Sequence, residues 1–360
     1  MKTLAALSTA PDAPFTLTPV ELDEIRPDEL LVRIVAAGIC HTDLTFKAKV
    51  PAPAVYGHEG AGIVERTGAK VSHVRPGDRV LLSFGYCGSC RHCRAAVPGY
   101  CSKMQQINAS GFRADGSPTL TRDGSPLYGA FFGQSSFAQH VITSQNNVVV
   151  AKNVPDLAIA APLGCGFQTG AGAVLNVLKL APDDSLVIFG AGAVGLSALL
   201  AARMRGTKTL IAVDPVPSRR QLARELGATA VFEPGPHIVS RVHEATAGGA
   251  GCALDTTGKS SVVADALSAL DSRGTLVVVG LGDTHALINV SEVMLAGKTL
   301  RGCTEGDALP QEFVPQLLRE HGRGRFPIDK LIVKYPFTAI NEAVADMRAG
   351  RVIQPVLTWT

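Results

Sequence analysis

The stretch Ser185–Gly206, SLVIFGAGAVGLSALLAARMRG, decides the fold. SLVIF is a short apolar run of the kind that forms a strand buried on both faces. GLSALLAARMRG, behind it, reads as a helix. Between them lies GAGAVG, Gly190–Gly195. A G-x-G-x-x-G turn that leaves a strand and opens a helix is a dinucleotide-binding turn. Gly190 permits the tight turn, Gly192 lets the backbone approach a pyrophosphate, and Gly195 lets the helix pack close to the strand. The unpaired N–H groups of the helix start then face the anion.

Working outward, TLIAVD, CALDTTG and TLVVVG are further buried-strand runs. Helical stretches such as SRRQLARELGA alternate with them, and Gly227 is placed to end that helix. The alternation predicts an α/β architecture with a doubly wound parallel sheet of the Rossmann type. Asp214 closes TLIAVD. A carboxylate there accepts hydrogen bonds from ribose hydroxyls and repels a 2′-phosphate, which favours NAD over NADP. Arg219 and Arg220 nearby partly offset that repulsion, and Arg220 reads as a solvated helix start. The first half of the chain differs. LLVRIVAAGI, GAGIVERTG and DRVLLSF are short strands punctuated by turns such as HVRPGD, which predicts a β-rich, barrel-like domain. Residues 102–136, rich in Gly, Ser, Asp and Pro, are expected to form a surface excursion.

Two cysteine patterns bear on function. Cys87, Cys90, Cys93 and Cys101 lie in CGSCRHCRAAVPGYC. Four thiolates in one loop complete a tetrahedral zinc site and leave no position for substrate, so this metal is expected to be structural. A second set comes in three pieces: Cys40 in GICHTD, His58 with Glu59 in GHEGAG, and Cys165 in LGCGFQTG. Two thiolates and one imidazole leave the fourth position open, the ligand set of a catalytic zinc. Two zinc ions per chain are therefore expected. Cys252 and Cys303 read as inert buried thiols.

With these motifs in place, the chain resembles the zinc-dependent alcohol dehydrogenases of the medium-chain dehydrogenase/reductase superfamily. The resemblance runs from Glu29 to the final GRVIQPVLT, and LLSFGYCGSC and GICHTDL are most similar to the aryl- and benzyl-alcohol dehydrogenase branch. It implies a GroES-like catalytic domain from 1–166 and 305–360 and a Rossmann domain from 167–304. It further implies that Thr42 bonds the substrate oxygen and takes its proton. Asp43 would orient His58, with Glu59 beside the metal and able to ligate it transiently. His41, Thr169, Val194, Arg219 and Gly280 would join Gly190, Gly192, Gly195 and Asp214 around NAD. Ser83, Phe84 and Leu281 would line the alcohol pocket. Two departures stand out: Thr45 occupies the position where relatives carry a relay histidine, and Gln354 the position of a cation that pairs with the pyrophosphate.

The expected reaction is the interconversion of a primary alcohol, aromatic or allylic, and its aldehyde by hydride transfer with NAD(H). Formaldehyde–thiol adducts and polyols are the alternative substrates, and a non-catalytic zinc-stabilised scaffold is the remaining reading. A net charge of +3 without a basic cluster argues against nucleic acid. No apolar run reaches the roughly 18 residues that span a membrane. The N-terminal run LAAL is too short for a signal peptide. Six thiolate ligands imply a reducing, cytoplasmic compartment. LAGKTLRGCTEGD, Leu295–Asp307, reads as an exposed edge strand, which predicts a homodimer or homotetramer.

Overall fold

A computed structural model describes residues 1–50, 52–152 and 154–359. The strands of the first half are β1 (Lys2–Ser8), β2 (Thr16–Leu22), β3 (Glu29–Gly38), β4 (Ala54–Val55), β5 (Glu59–Thr67), β6 (Arg79–Leu82), β7 (Leu120–Arg122), β8 (Ser125–Pro126), β9 (His140–Ser144) and β10 (Val148–Val150). The second half adds β11 (Ser185–Phe189), β12 (Thr209–Val213), β13 (Ala230–Phe232), β14 (Ala250–Asp255), β15 (Leu270–Val278), β16 (Thr299–Gly302), β17 (Ile332–Pro336) and β18 (Gln354–Thr358).

The chain divides into two units. One holds 1–165, 309–319 and 328–360; the other holds 166–308 and 320–327. Residues 305–308 and 320–327, with Gly166, cluster with the second unit, while the sequence reading sets the boundaries at 166/167 and 304/305. For 305–308 the cause is visible: a Cβ on Gly172 would lie 2.2 Å from the Gly306 carbonyl oxygen, and Asn176 donates to that oxygen at 2.9 Å.

The first unit is β-rich. One sheet runs β4-β1-β2-β7-β8, and another β10-β6-β5-β3-β18-β17 with β9 also on β3. The apolar runs of β1 and β3 feed one core that includes Leu7, Val32, Ile34, Tyr56, Phe131 and Phe137. Residues 102–136 are not only a surface excursion. Leu120, Leu127, Tyr128, Phe131 and Phe132 are buried, because LYGAFFG carries aromatic area too large to leave in water. Burying one such ring contributes about 1.5–3 kcal/mol.

The second unit contains a parallel sheet in the order β13-β12-β11-β14-β15-β16, the doubly wound arrangement with its switch point beside β11. Helix Ala193–Met204 follows β11, and helix Pro217–Glu225 follows β12. Gly227 lies just past the latter at φ +113°, the left-handed geometry that ends a helix. The edge strand is shorter than Leu295–Asp307: only Thr299–Gly302 pairs, after a helix Val290–Ala296. Among the described residues no single helix is long and apolar enough to cross a membrane.

Candidate metal and active site

Strand register assembles the open cysteine–histidine set. Gly38, the last residue of β3, pairs with Glu59, the first of β5. The chain leaves β3 into Cys40 and the helix His41–Lys47, and it enters β5 through His58. Cys40 and His58 therefore meet at one end of the same strand pair. Cys165 completes the group: ligand atoms of Cys40, His58, Glu59 and Cys165 all lie within 4.8 Å of one another.

Asp43 organises this cluster. Its Oδ1 accepts from His58 Nδ1 at 2.8 Å and from Gly57 N at 3.0 Å, and its Oδ2 accepts from Cys40 N at 2.8 Å. With Nδ1 committed, Nε2 of His58 is the nitrogen left for a ligand. It is buried and has no hydrogen-bond partner. Such an orphaned nitrogen is costly unless something binds it, and two thiols beside it make a zinc ion the fitting partner. The Cys40 thiol is held well below its ordinary range by Cys165 alongside it, against burial, with help from His58. Burial pushes His58 down, yet the Asp43 carboxylate and Cys40 hold it well above its ordinary value.

The four-cysteine loop also gathers its ligand atoms within 4.8 Å. Cys90 N points at Cys87 Sγ (3.4 Å), and Cys87 N and Lys103 N point at Cys101 Sγ (3.3 and 3.4 Å). Backbone amides lower the Cys87 thiol to about 7 and the Cys90 thiol to about 5. Burial, with neighbouring thiols, raises Cys93 to about 12. A set split this way without metal is one that a dication would fully deprotonate.

Thr42 is half-buried, its Oγ1 3.6 Å from Cys40 Sγ, while His41 is exposed. Thr45 spends its hydroxyl on His41 O at 3.1 Å. Ser83 is fully buried and donates to Gly164 O at 2.6 Å, and Phe84 is 1% exposed. Leu281, in the other unit, is 67% exposed. The sequence reading missed what does surround His58. Phe132 lies with its ring 4.6 Å from the imidazole and Phe131 at 5.4 Å. Gln134 donates to His58 O and Ser83 O and accepts from Gly60 N. Gln354 is buried against Glu59 at 2.9 Å, so it is not a solvent-facing counterpart of a pyrophosphate cation.

In the second unit the glycine turn has the geometry a dinucleotide requires. Gly190 sits at φ +99°, and a Cβ on Gly195 would lie 1.8 Å from Gly190 O. A Cβ on Gly192 would meet nothing within 4 Å, so the open space is where the sequence reading puts the pyrophosphate. Asp214 is buried and accepts from Ala191 N and Val216 N, each at 2.8 Å, with Arg219 4.0 Å away. Gly170, next to Thr169, lies so close to Val194 that a Cβ would fall 2.0 Å from its carbonyl oxygen. Gly280 packs backbone to backbone on Gly258.

Comparison with known proteins agrees with this geometry. Residues 26–156 match the alcohol dehydrogenase GroES-like domain, and 193–321 match the zinc-binding dehydrogenase family. The chain is 43% identical to a geraniol dehydrogenase of Castellaniella defragrans, over 99% of this chain and 97% of the relative. Its structure superposes on an alcohol dehydrogenase zinc-binding domain protein from Burkholderia ambifaria with TM-score 0.96, 45% identity and 99% of each chain covered. Benzyl alcohol dehydrogenase from Acinetobacter calcoaceticus gives TM-score 0.95 at 41% identity over the whole of both chains. Matched along nearly its full length by such enzymes, the chain belongs to the zinc-dependent alcohol dehydrogenases of the medium-chain dehydrogenase/reductase superfamily.

Proposed function

We propose that this alcohol dehydrogenase interconverts an aromatic or allylic primary alcohol and its aldehyde, with NAD as the hydride carrier. The observation that carries the reading is His58 Nε2, buried and unpartnered between two thiols while Nδ1 is fixed by Asp43. Cys40, His58 and Cys165 would hold a catalytic zinc, and Cys87, Cys90, Cys93 and Cys101 a structural one. When bound, zinc supplies a Lewis acid for the alcohol oxygen and NAD supplies the hydride acceptor. The chain's own residues do the rest. Asp43 fixes the tautomer of His58. The hydroxyl of Thr42, two residues beyond Cys40, takes the substrate's hydroxyl proton as it gives up its own through the ribose and water to solvent. Phe131 and Phe132 keep the surroundings of His58 apolar, which favours a flat, unsaturated substrate over a small polar one. The glycine turn and Asp214 hold the dinucleotide, with Arg219, Thr169, Val194 and Gly280 around it.

The names of two relatives, a geraniol and a benzyl alcohol dehydrogenase, support the substrate class. A cytoplasmic homodimer or homotetramer, with a dinucleotide domain built around residues 167–304, completes the proposal. The test is a panel of ethanol, benzyl alcohol, geraniol, hydroxymethylglutathione and sorbitol, each with NAD and with NADP, followed by nicotinamide absorbance. Benzyl alcohol or geraniol should exceed ethanol about 100-fold in kcat/KM, equivalent to roughly 2.7 kcal/mol at the transition state. Equal efficiency with ethanol would refute the substrate class. Absence of turnover with any alcohol would refute NAD as the carrier.

A further inference from the structure

Gln354 and Glu59 sit on strands that do not touch. β5 and β18 flank β3 on opposite sides, and Gly38 of β3 is paired with Glu59 on one side and with Val356 on the other. A side chain at position 38 would separate them: a Cβ there would fall 2.0 Å from Glu59 Oε2 and 2.9 Å from Gln354 Nε2. Because the residue is glycine, the two side chains meet across the central strand. Gln354 Nε2 donates to Glu59 Oε2 at 2.9 Å and to Ile39 O at 3.3 Å. Both residues are buried, Glu59 completely. A Glu59 carboxylate oxygen is also within 4.8 Å of the ligand atoms of Cys40, His58 and Cys165. The carboxylate thus lies between a neutral amide and the metal position.

We propose that Gln354 is a positioning residue that tethers the Glu59 carboxylate across Gly38, and so sets how readily Glu59 enters the fourth metal position. The inference rests on the metal reading of Cys40, His58 and Cys165 given above. The amide holds one carboxylate oxygen at hydrogen-bond distance, so it competes with the metal position for Glu59. It carries no charge, so it competes less than a guanidinium would. Removing the amide should shift Glu59 toward the metal, and replacing it with a cation should draw Glu59 away.

The experiment uses the full-length enzyme with cobalt(II) at the open site. The readouts are the visible absorption bands and the rate of cobalt loss to a chelator. Gln354→Leu should alter the bands and slow cobalt loss roughly tenfold, the scale of one hydrogen bond to a charged group. Gln354→Arg should speed it. Both effects should vanish in a Glu59→Ala background. If Gln354→Leu loads cobalt normally and matches the wild type in bands and rate, the tether is refuted. The same holds if its effects persist without Glu59, because Gln354 would then act through the fold. Failure of the wild type to bind cobalt at Cys40, His58 and Cys165 would instead overturn the metal reading, and the tether with it.

Discussion

Asp43 Oδ1 accepts from His58 Nδ1 at 2.8 Å, with both side chains fully buried. The carboxylate also accepts the Gly57 and Cys40 amides, so it sets the tautomer of one ligand and the backbone of another. Asp43→Asn keeps the shape but puts an NH₂ group against an N–H donor. Zinc affinity at the Cys40 set should fall about 10–100-fold. Chelator competition measures this, and an unchanged affinity would show that Asp43 does not act on the metal.

The same pair predicts a pH dependence. In the metal-free protein, burial works to lower His58 but Asp43 and Cys40 raise it well above its ordinary value. Its folded-state proton is therefore retained up to higher pH and must leave before Nε2 can bind zinc. Metal affinity should fall as pH drops, by about tenfold per pH unit for each proton displaced. Zinc competition titrations across the range pH 6–8 test the sign; a flat profile would contradict it.

Loss of ligands should separate the two metal sites. Cys165→Ser removes an open-site ligand and should abolish turnover with the fold retained. Cys93→Ser breaks a closed set and should lower Tm, because a structural zinc contributes folding energy. Elemental analysis of the wild type should give two zinc ions per chain, and of each variant one.

Spacing made the two candidate ligand clusters readable: a thiolate cluster needs its cysteines, and the motifs around Cys40, His58 and Cys165 are local. The glycine turn was equally local, since strand, turn and helix are contiguous. Gln134, Phe132 and Gln354 were not readable in this way. Each acts through a partner far away in sequence, Gln134 on His58 O and Gln354 on Glu59, and nothing near either residue announces the pairing. LYGAFFG did carry a signal, aromatic density within a Gly-rich stretch, which the expectation of a surface excursion passed over. The commitment of the Ser83 hydroxyl to Gly164 O is of the same kind, with a partner far away in sequence.

Asp214 tests the cofactor proposal. It closes β12 and ties that strand end to the glycine turn through Ala191 N. Asp214→Gly removes the charge facing the 2′ position and also orphans two amides. Activity with both cofactors should fall, but less with NADP, so the NADP/NAD ratio of kcat/KM should rise. A wild type already faster with NADP would show that Arg219 or Arg220 outweighs the carboxylate.

The edge of the parallel sheet tests assembly. Thr299–Gly302 is exposed along its length, beside Val290, Met294 and Leu295 on the preceding helix, each more than two-thirds exposed. An exposed edge strand with apolar neighbours invites a second copy. Light scattering should report a dimer or tetramer, and Leu300→Lys should weaken it. A wild type that stays monomeric at micromolar concentration would refute the proposal.

Phe132 tests what chooses the substrate. It holds a left-handed conformation, φ +49° and ψ +32°, which costs a non-glycine residue roughly 1–2 kcal/mol. Its carbonyl is held by Asn147 at 2.8 Å, and its ring lies over His58. Glycine adopts this backbone without strain, so Phe132→Gly relieves it and deletes only the ring. If the ring supplies substrate contact, kcat/KM for benzyl alcohol should drop about 10–100-fold, in line with roughly 1–3 kcal/mol of lost aromatic burial. Ethanol, too small to cover the ring, should change by less than a few-fold, and Tm should fall, because the lost burial of the ring, about 1.5–3 kcal/mol, outweighs the relieved strain. Parallel losses for both alcohols would mean that Phe132 serves the packing of His58 and not the choice of substrate.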